Sequence, residues 1–203
     1  MSKKVVIVFE GIEGSGKTFH INNICKFLKK SKVPYIKLRE PGGSKNSEKI
    51  RKLILSKKSN FNRNTDLLLY LAARSENIEL LKKSYKKKII LIDRFTDSTI
   101  AYQHYGMGVD LKILKKINNY LLKSFKVNFT FLNIVNEKNL KKRLNKRKKL
   151  NRYDKFKMRF YSKVQRGYLK IADNRSNYKI IDSNRPINVN KDDVIKKLKE
   201  LIK

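Results

Sequence analysis

Residue types and spacing that suit phosphate chemistry occur near the start of the chain, in Gly11, Ile12, Glu13, Gly14, Ser15, Gly16, Lys17 and Thr18. This Gly-x4-Gly-Lys-Thr spacing is that of a P-loop, in which glycines let successive backbone N–H groups face phosphate oxygens. Lys17 supplies a charge for the β- and γ-phosphates, and the Thr18 hydroxyl suits Mg²⁺. A turn that binds nothing is the alternative. Because an apolar run precedes the motif and a helical pattern follows it, we expect a site for a nucleoside triphosphate with Mg²⁺.

A second group of polar residues follows a later apolar run. Asp93 ends that run, at the place where P-loop proteins position the acid that organises Mg²⁺ through water. Arg94 could bind a phosphate with two parallel hydrogen bonds. The alternative is that Asp93 and Arg94 have only a structural role, as an ion pair with a helix cap. Ser98, Tyr102 and Gln103 follow at helical steps, and this density of polar residues favours a binding site.

Further candidate binding residues lie between these two groups. Arg39 begins the segment Arg-Glu-Pro-Gly-Gly, in which a sharp turn lets the backbone approach a ligand. Arg51 lies on the next predicted helix. Tyr70 and Arg74 are one helical turn apart, so an aromatic ring and a guanidinium could together hold a planar base. Taken alone, Tyr70 is more typical of a core and Arg74 of a surface.

The most basic segment, Lys141–Arg152, is either a solvated charge run or part of a lid over bound phosphates, which would span about residues 141–154. The P-loop contains no arginine, although phosphoryl transfer requires positive charge around the transferring group. A basic lid that carries Arg147 and Arg152 would supply this charge and exclude water. The sequence therefore favours a lid.

Apolar runs alternate with helical patterns along the chain, which indicates parallel strands joined by right-handed crossovers. The predicted strands are Val5–Phe9, Tyr35–Leu38, Lys88–Ile92, Phe129–Ile134 and Tyr178–Ile181. We predict a middle helix over Leu67–Leu81, with Leu68 on its apolar face. A last helix begins near Asn190, with Asp192 and Asp193 in its first turn. The expected fold is a three-layer α/β P-loop NTPase type. It has a central five-stranded parallel sheet flanked by helices, within one domain spanning residues 1–203.

The composition limits the possible partners. The 203 residues include 51 Lys and Arg against 17 Asp and Glu, giving a net charge of +34. A nucleic-acid partner would explain this charge, but abundant Lys, Asn and Ile favour a composition bias, so nucleic-acid binding is not expected. The single Cys25 fits a reducing compartment, and no apolar run approaches membrane-spanning length. These features predict a soluble cytoplasmic protein.

The chain resembles the thymidylate kinases, which phosphorylate dTMP with ATP. The matching segments run in family order through nearly the whole chain: Glu-Gly-Ile-Glu-Gly-Ser-Gly-Lys-Thr, Arg-Glu-Pro-Gly-Gly, Leu-Ala-Ala-Arg, Asp-Arg-x-x-x-Ser-x-x-Ala-Tyr-Gln and Asn-Arg-Tyr-Asp. The resemblance implies ATP and dTMP as substrates, Mg²⁺ as cofactor and a homodimer. A deoxynucleoside kinase and a P-loop ATPase stimulated by nucleic acid are the alternatives.

The resemblance also implies roles for individual residues. The acceptor phosphate would be held by Arg39, Arg51 and Arg94. Lys17, with Arg147 or Arg152, would stabilise the transferring phosphoryl group. Tyr70 would stack on thymine, whose polar edge would be read by Arg74, Ser98 and Gln103. Glu13 would bind the sugar 3′-hydroxyl, and Tyr102 would crowd the 2′ position and favour deoxyribose.

Overall fold

The apolar runs form one parallel sheet with strand order β2-β3-β1-β4-β5. The computed structural model describes residues 5–85, 87–147 and 151–203, with only the backbone described at 154 and 155. The strands are β1 (Val6–Glu10), β2 (Tyr35–Arg39), β3 (Ile89–Asp93), β4 (Phe129–Ile134) and β5 (Tyr178–Asp182). Each predicted strand lies within one residue of the observed one. The predicted parallel sheet is thus confirmed.

Helices cover both faces of this sheet. In the described part of the chain they are α1 (Lys17–Lys30), α2 (Lys45–Leu55), α3 (Arg63–Tyr85), α4 (Thr96–Thr99), α5 (Leu111–Leu122), α6 (Glu137–Asn145), α7 (Met158–Ala172) and α8 (Ile187–Ile202). A π-helical stretch, Ile100–Gly106, continues α4, and a 3₁₀ turn spans Arg152–Lys155. Side chains of Ser44, Asp110 and Asn136 cap α2, α5 and α6. Such caps satisfy N–H groups that lack a partner within the helix.

The central strand β1 is buried on both faces, as expected for a parallel sheet between two helical layers. Ile7 and Phe9 face the layer that contains α1 and α8. Val6 and Val8 belong to a second cluster, which includes Ile78 of α3. Because successive side chains of a strand point to opposite faces, one five-residue strand contributes to two cores. The predicted three-layer architecture is thus confirmed.

Two helix boundaries differ from the prediction. The helix α3 is longer than Leu67–Leu81, because the Asn62 side chain accepts hydrogen bonds from the N–H groups of residues 64 and 65 and starts the helix a turn earlier. Leu68, expected on its apolar face, is 58% exposed.

The last helix, α8, also begins earlier than the predicted start near Asn190. It starts at Ile187, directly after Pro186, whose restricted φ suits a helix start. Asp192 and Asp193 therefore lie in its second turn, and the expectation that they occupy the first turn is wrong. Among the residues described, no helix is long and apolar enough to cross a membrane.

Candidate functional site

The carboxyl ends of β1 and β3 open into a cavity of about 470 Å³. In parallel sheets, loops at this edge form the ligand site. Most of the residues singled out in the sequence lie around this cavity: Glu13, Gly14, Gly16, Lys17, Thr18, Arg51, Tyr70, Arg74, Asp93, Arg94, Ser98, Tyr102, Gln103 and Arg147. The remaining P-loop residues, Gly11, Ile12 and Ser15, are buried beneath it. Arg39 and Arg152 do not line it.

The P-loop is held in shape by its own lysine. The Lys17 Nζ donates to the carbonyl oxygens of Gly11 and Ile12 at 2.8 and 2.9 Å and contacts the Ser15 hydroxyl at 3.4 Å. Gly11 has a φ of 135°, and a Cβ there would clash with the carbonyl oxygen of Asn133. Only glycine fits this position, so the loop can pass directly over β4.

The surroundings of Lys17 disfavour the protonated form of its amine. Burial, followed by the positive charge of Arg94, lowers the pKa of Lys17 to about 8. Carboxylates at Asp93 and Glu13 oppose this shift. A triphosphate would add negative charge beside the amine and restore its usual basicity.

We therefore expect ATP binding at pH 8.5 to be accompanied by proton uptake at Lys17. Titration calorimetry in buffers of different ionisation enthalpy measures this uptake from the dependence of the heat on the buffer. Affinity for ATP should also fall as the pH rises through 8, because the free protein loses the cation. Lys17→Arg, which stays charged, serves as the control without uptake at this position. Heats that are independent of the buffer in the wild-type protein would contradict the expectation.

Two side chains with oxygen atoms suited to Mg²⁺ line the cavity. The Thr18 hydroxyl lies on an exposed residue at the start of α1, and both Thr18 and Asp93 line the cavity. Within the described residues, the buried Asp93 Oδ1 has no hydrogen-bond partner. A carboxylate oxygen and a hydroxyl fit a cation that keeps several waters and binds phosphates. These residues thus suit a phosphate-bound Mg²⁺.

Arg94 contacts both Glu13 of the P-loop and Tyr102 within the cavity. Its Nη2 lies 3.1 Å from Glu13 Oε1, and Tyr102 donates its hydroxyl proton to the other oxygen of Glu13. Although burial opposes ionisation of Glu13, the charges of Arg94 and Lys17 lower its pKa below the usual value. The carboxylate is therefore ionised at neutral pH and available to accept from a ligand hydroxyl.

Arg74 differs from the exposed residue that helical position alone suggests. Its side chain is 1% exposed and its donors are almost fully used. Its Nε and Nη2 contact Glu40 at 2.8 Å, its Nη1 donates to Asn118 at 2.6 Å, and its Nη2 donates to Thr99 at 2.9 Å. Arg74 is thereby fixed at the wall of the cavity. Glu40 and Asn118 were not predicted as site residues, and only Glu40 carried a signal, as the acid of the Glu-Pro-Gly-Gly turn.

The basic segment is fixed at both ends of its described part. Arg143, on α6, donates to the carbonyl oxygens of Gly14 and Ser183 at 2.9 and 2.7 Å. Arg147 lines the cavity, and residues 148–150 of the predicted lid lie outside the described residues. Arg152 pairs with the buried Asp66 of α3. In this arrangement Arg147 is the lid arginine nearer the site, and Arg152 anchors the segment.

A tyrosine next to this anchor lines the cavity together with Tyr70. The Tyr153 hydroxyl donates to Asp66 Oδ2 at 2.7 Å, and its ring packs edge-on against Tyr70 and Tyr102. Nothing in the sequence pattern distinguished Asp66, a helix-start acid, from other surface carboxylates. Its role depends on contacts with residues 86 and 87 positions away along the chain.

The guanidinium of Arg39, by contrast, does not line the cavity. Its side chain is 52% exposed and donates to Glu48 at 3.1 Å. Arg51 takes the inner position, where it donates to the carbonyl oxygen of Pro41 at 2.5 Å and lines the cavity.

A P-loop after β1, an acid at the end of β3 and arginines around one cavity define a P-loop kinase. Residues 9–194 match the family model described as thymidylate kinase. A thymidylate kinase from Sulfurihydrogenibium sp. is 40% identical over 185 residues, which are 89% of this chain and 90% of that protein. One from Clostridium novyi is 34% identical over 209 residues, covering both chains fully. A crystal structure of thymidylate kinase from Ehrlichia chaffeensis matches with a TM-score of 0.76 and 29% identity, covering 96% of this chain and 98% of that one.

The chain belongs to the thymidylate kinase family. It is a phosphotransferase that uses ATP as donor and phosphorylates dTMP for the synthesis of dTTP. The resemblance noted in the sequence is confirmed, and the two alternatives are not favoured.

Proposed function

We propose that ATP binds on the P-loop side of the cavity and dTMP on the side of Tyr70 and Arg74, so that the γ-phosphoryl group passes between them to give dTDP and ADP. The observation that carries this proposal is that Lys17, Arg94 and Tyr70 line one cavity. Donor phosphates, acceptor phosphate and base thus have adjoining subsites. Arranging both reactants in one site supplies much of the catalysis of phosphoryl transfer.

On the donor side, we assign the phosphates to the P-loop residues 11–18, with Lys17 on the transferring group. Thr18 and, through water, Asp93 would hold Mg²⁺, which would neutralise charge on the phosphates. Arg147 would add positive charge from the lid. Arg152 would contribute only after leaving Asp66, so we assign it the secondary role.

On the acceptor side, Arg94 and Arg51 would bind the dTMP phosphate. Arg39 would add charge from the cavity edge once Glu48 releases it. The base would stack on Tyr70, with its polar edge facing Arg74, Ser98 and Gln103. Gln103 is buried, and within the described residues its Nε2 has no partner, which supports a donor role toward a base carbonyl.

The acceptor needs no strong general base, since a phosphate monoester is largely ionised near neutral pH. Residues of the cavity instead position the phosphates and stabilise their charge. Arg94 and Tyr102 hold the carboxylate of Glu13 in place, and this fixed carboxylate could accept a hydrogen bond from the sugar 3′-hydroxyl.

A coupled assay of ADP release with ATP, Mg²⁺ and a panel of acceptors tests the proposed function. Release that requires dTMP, and is weak with other monophosphates, is the expected result. Release with thymidine would mean a nucleoside kinase, and release driven only by single-stranded DNA would mean a nucleic-acid-stimulated ATPase. Omitting Mg²⁺ should abolish transfer.

Replacing Tyr102 is expected to change sugar selectivity. Tyr102→Ala should increase the use of the ribose form of dTMP relative to dTMP itself, because the ring no longer crowds the 2′ position. Tyr102→Phe is the matched control, since it keeps the ring and removes only the hydroxyl bonded to Glu13. Comparing kcat/KM for the two nucleotides measures the effect. Unchanged selectivity in Tyr102→Ala would place sugar discrimination elsewhere.

We also propose that the chain forms a cytoplasmic homodimer of single-domain subunits. The family resemblance supports this, as do large exposed side chains on the packed pair α3 and α5, with Leu68 58%, Ile113 56% and Tyr120 74% exposed. Sedimentation should give twice the 24.0 kDa chain mass. Leu68→Glu should shift the equilibrium toward the monomer, and a wild-type monomer at micromolar concentration would contradict the proposal.

A further inference from the structure

Glu10, the last residue of β1, is a buried carboxylate that lies behind the cavity wall. It is 1% exposed and is not among the cavity residues. Its Oε1 accepts from the backbone N–H groups of Phe95 and Ser98 at 2.8 and 3.2 Å. Its Oε2 accepts from the hydroxyl groups of Ser98 and Tyr168 at 2.5 and 3.2 Å. A buried acid that uses both oxygens in this way fixes the groups that donate to it.

The backbone donors to Glu10 follow Arg94, whose own backbone is in an unfavourable conformation. Arg94 has a φ of 65°, which costs a residue with a Cβ about 1 kcal/mol. Its own N–H donates to the carbonyl oxygen of Phe9 at 2.9 Å. The N–H groups of Phe95 and Ser98, further along the chain, both donate to Glu10. The turn that directs Arg94 into the cavity is thereby held from the end of β1.

The same carboxylate also holds the groups that orient the Arg94 side chain. The Nη1 of Arg94 donates to the Tyr168 hydroxyl at 3.2 Å and to the Ser98 hydroxyl at 3.4 Å. These are the two hydroxyl groups that face Glu10 Oε2. Rotation of either hydroxyl away from the carboxylate would free the guanidinium on that side. Glu10 therefore constrains Arg94 through its backbone and through its side chain.

We propose that Glu10 is a positioning residue that holds Arg94 in the conformation required to bind the acceptor phosphate. It acts without touching either substrate, and its hydrogen bonds go to groups around Arg94 on the acceptor side. The proposal rests on the proposed function, in which Arg94 binds the dTMP phosphate. A buried acid that served only the stability of the fold would affect both substrates equally.

Glu10→Gln is the most direct test because it preserves shape and the Oε1 acceptor while replacing Oε2 with a donor. Burial, together with the nearby Asp97, raises the pKa of Glu10 to about 7, so kinetics are measured at pH 8, where the carboxylate predominates. We expect the KM for dTMP to rise about tenfold or more, from the loss of charged hydrogen bonds, and the KM for ATP to rise far less, because Glu10 acts on Lys17 only through its charge. Glu200→Gln, an exposed pair partner of Lys197, is the unaffected control.

A double-mutant cycle separates positioning from general destabilisation. If Glu10 acts through Arg94, Glu10→Gln should raise the KM for dTMP no further in an Arg94→Ala background. Additive effects, or equal losses for ATP and dTMP, would overturn the proposal. If Glu10→Gln does not fold, as judged by circular dichroism and ATP binding, Tyr168→Phe carries the same cycle. It removes only the hydroxyl between Glu10 and Arg94, and a smaller increase selective for dTMP is expected.

The outcomes distinguish this proposal from the one on which it rests. Absence of dTMP-dependent ADP release in the wild-type protein would refute the proposed function itself. Normal wild-type activity, with a KM for dTMP unchanged in both Glu10→Gln and Tyr168→Phe, would refute only the role of Glu10.

Discussion

Lys17→Ala is expected to lower kcat for dTMP phosphorylation by about 10²- to 10³-fold, the usual loss when one preorganised charge on a developing anion is removed. The ammonium group is buried beside the P-loop carbonyl oxygens. We assign Lys17 to the transferring phosphoryl group. Its removal also leaves the carbonyl oxygens of Gly11 and Ile12 without a donor. Steady-state and single-turnover kinetics with saturating ATP and dTMP measure the loss at the chemical step.

The matched control for this substitution is Lys29→Ala, an exposed lysine near the end of the same helix, α1. It should retain wild-type kcat, which excludes a general effect of removing one charge from a chain of net charge +34. Circular dichroism should show that both variants are folded. Retention of more than a tenth of wild-type kcat by Lys17→Ala would contradict the P-loop assignment.

Arg94→Ala is expected to lower kcat/KM for dTMP by roughly 10- to 100-fold while changing ATP affinity little. A charged hydrogen bond contributes about 1.5–3 kcal/mol, and each 1.4 kcal/mol is a factor of ten. The substitution also removes the ion pair with Glu13, which lies in the same cavity. Varying dTMP at saturating ATP, and ATP at saturating dTMP, separates the two effects.

Arg39→Ala is the informative comparison for Arg94. The Arg39 guanidinium is half exposed and paired with Glu48, so its substitution should cost several-fold at most. Equal losses for ATP and dTMP in Arg94→Ala would argue against a role at the acceptor phosphate. A larger loss in Arg39→Ala than in Arg94→Ala would reverse the assignment of the two arginines.

The strands and the P-loop, which depend on local sequence, were predicted correctly. The strands are short apolar runs that become buried in the sheet. The P-loop spacing occurs between an apolar run and a helical pattern, which is the context that identifies it. Asp93 ends β3 and Arg94 follows it, and parallel strands bring this end beside the P-loop. These residues could be placed together from the sequence, because the topology of a parallel sheet fixes which strand ends meet.

Features that depend on long-range side-chain contacts were not predictable in the same way. The burial of Arg74 depends on Glu40 and Asn118, which are 34 and 44 residues away. The position of Arg152 depends on Asp66, across 86 residues. Helical periodicity gives the direction of a side chain on its own helix, but it does not give the acid that faces it from another element. Glu10 was missed for a related reason, since it reads as the end of an apolar strand.

The anchoring of the basic segment has a thermodynamic consequence. Arg143 ties its first end to the P-loop, and Arg152 with Tyr153 ties its second end to Asp66. Because these contacts fix Arg143 and Arg152 in the folded protein, neither residue needs to be ordered when a triphosphate binds. Folding has thus already met part of the ordering cost of ATP binding. Cutting the second tie with Asp66→Asn would shift that cost to ATP binding, where it would appear as a less favourable binding entropy.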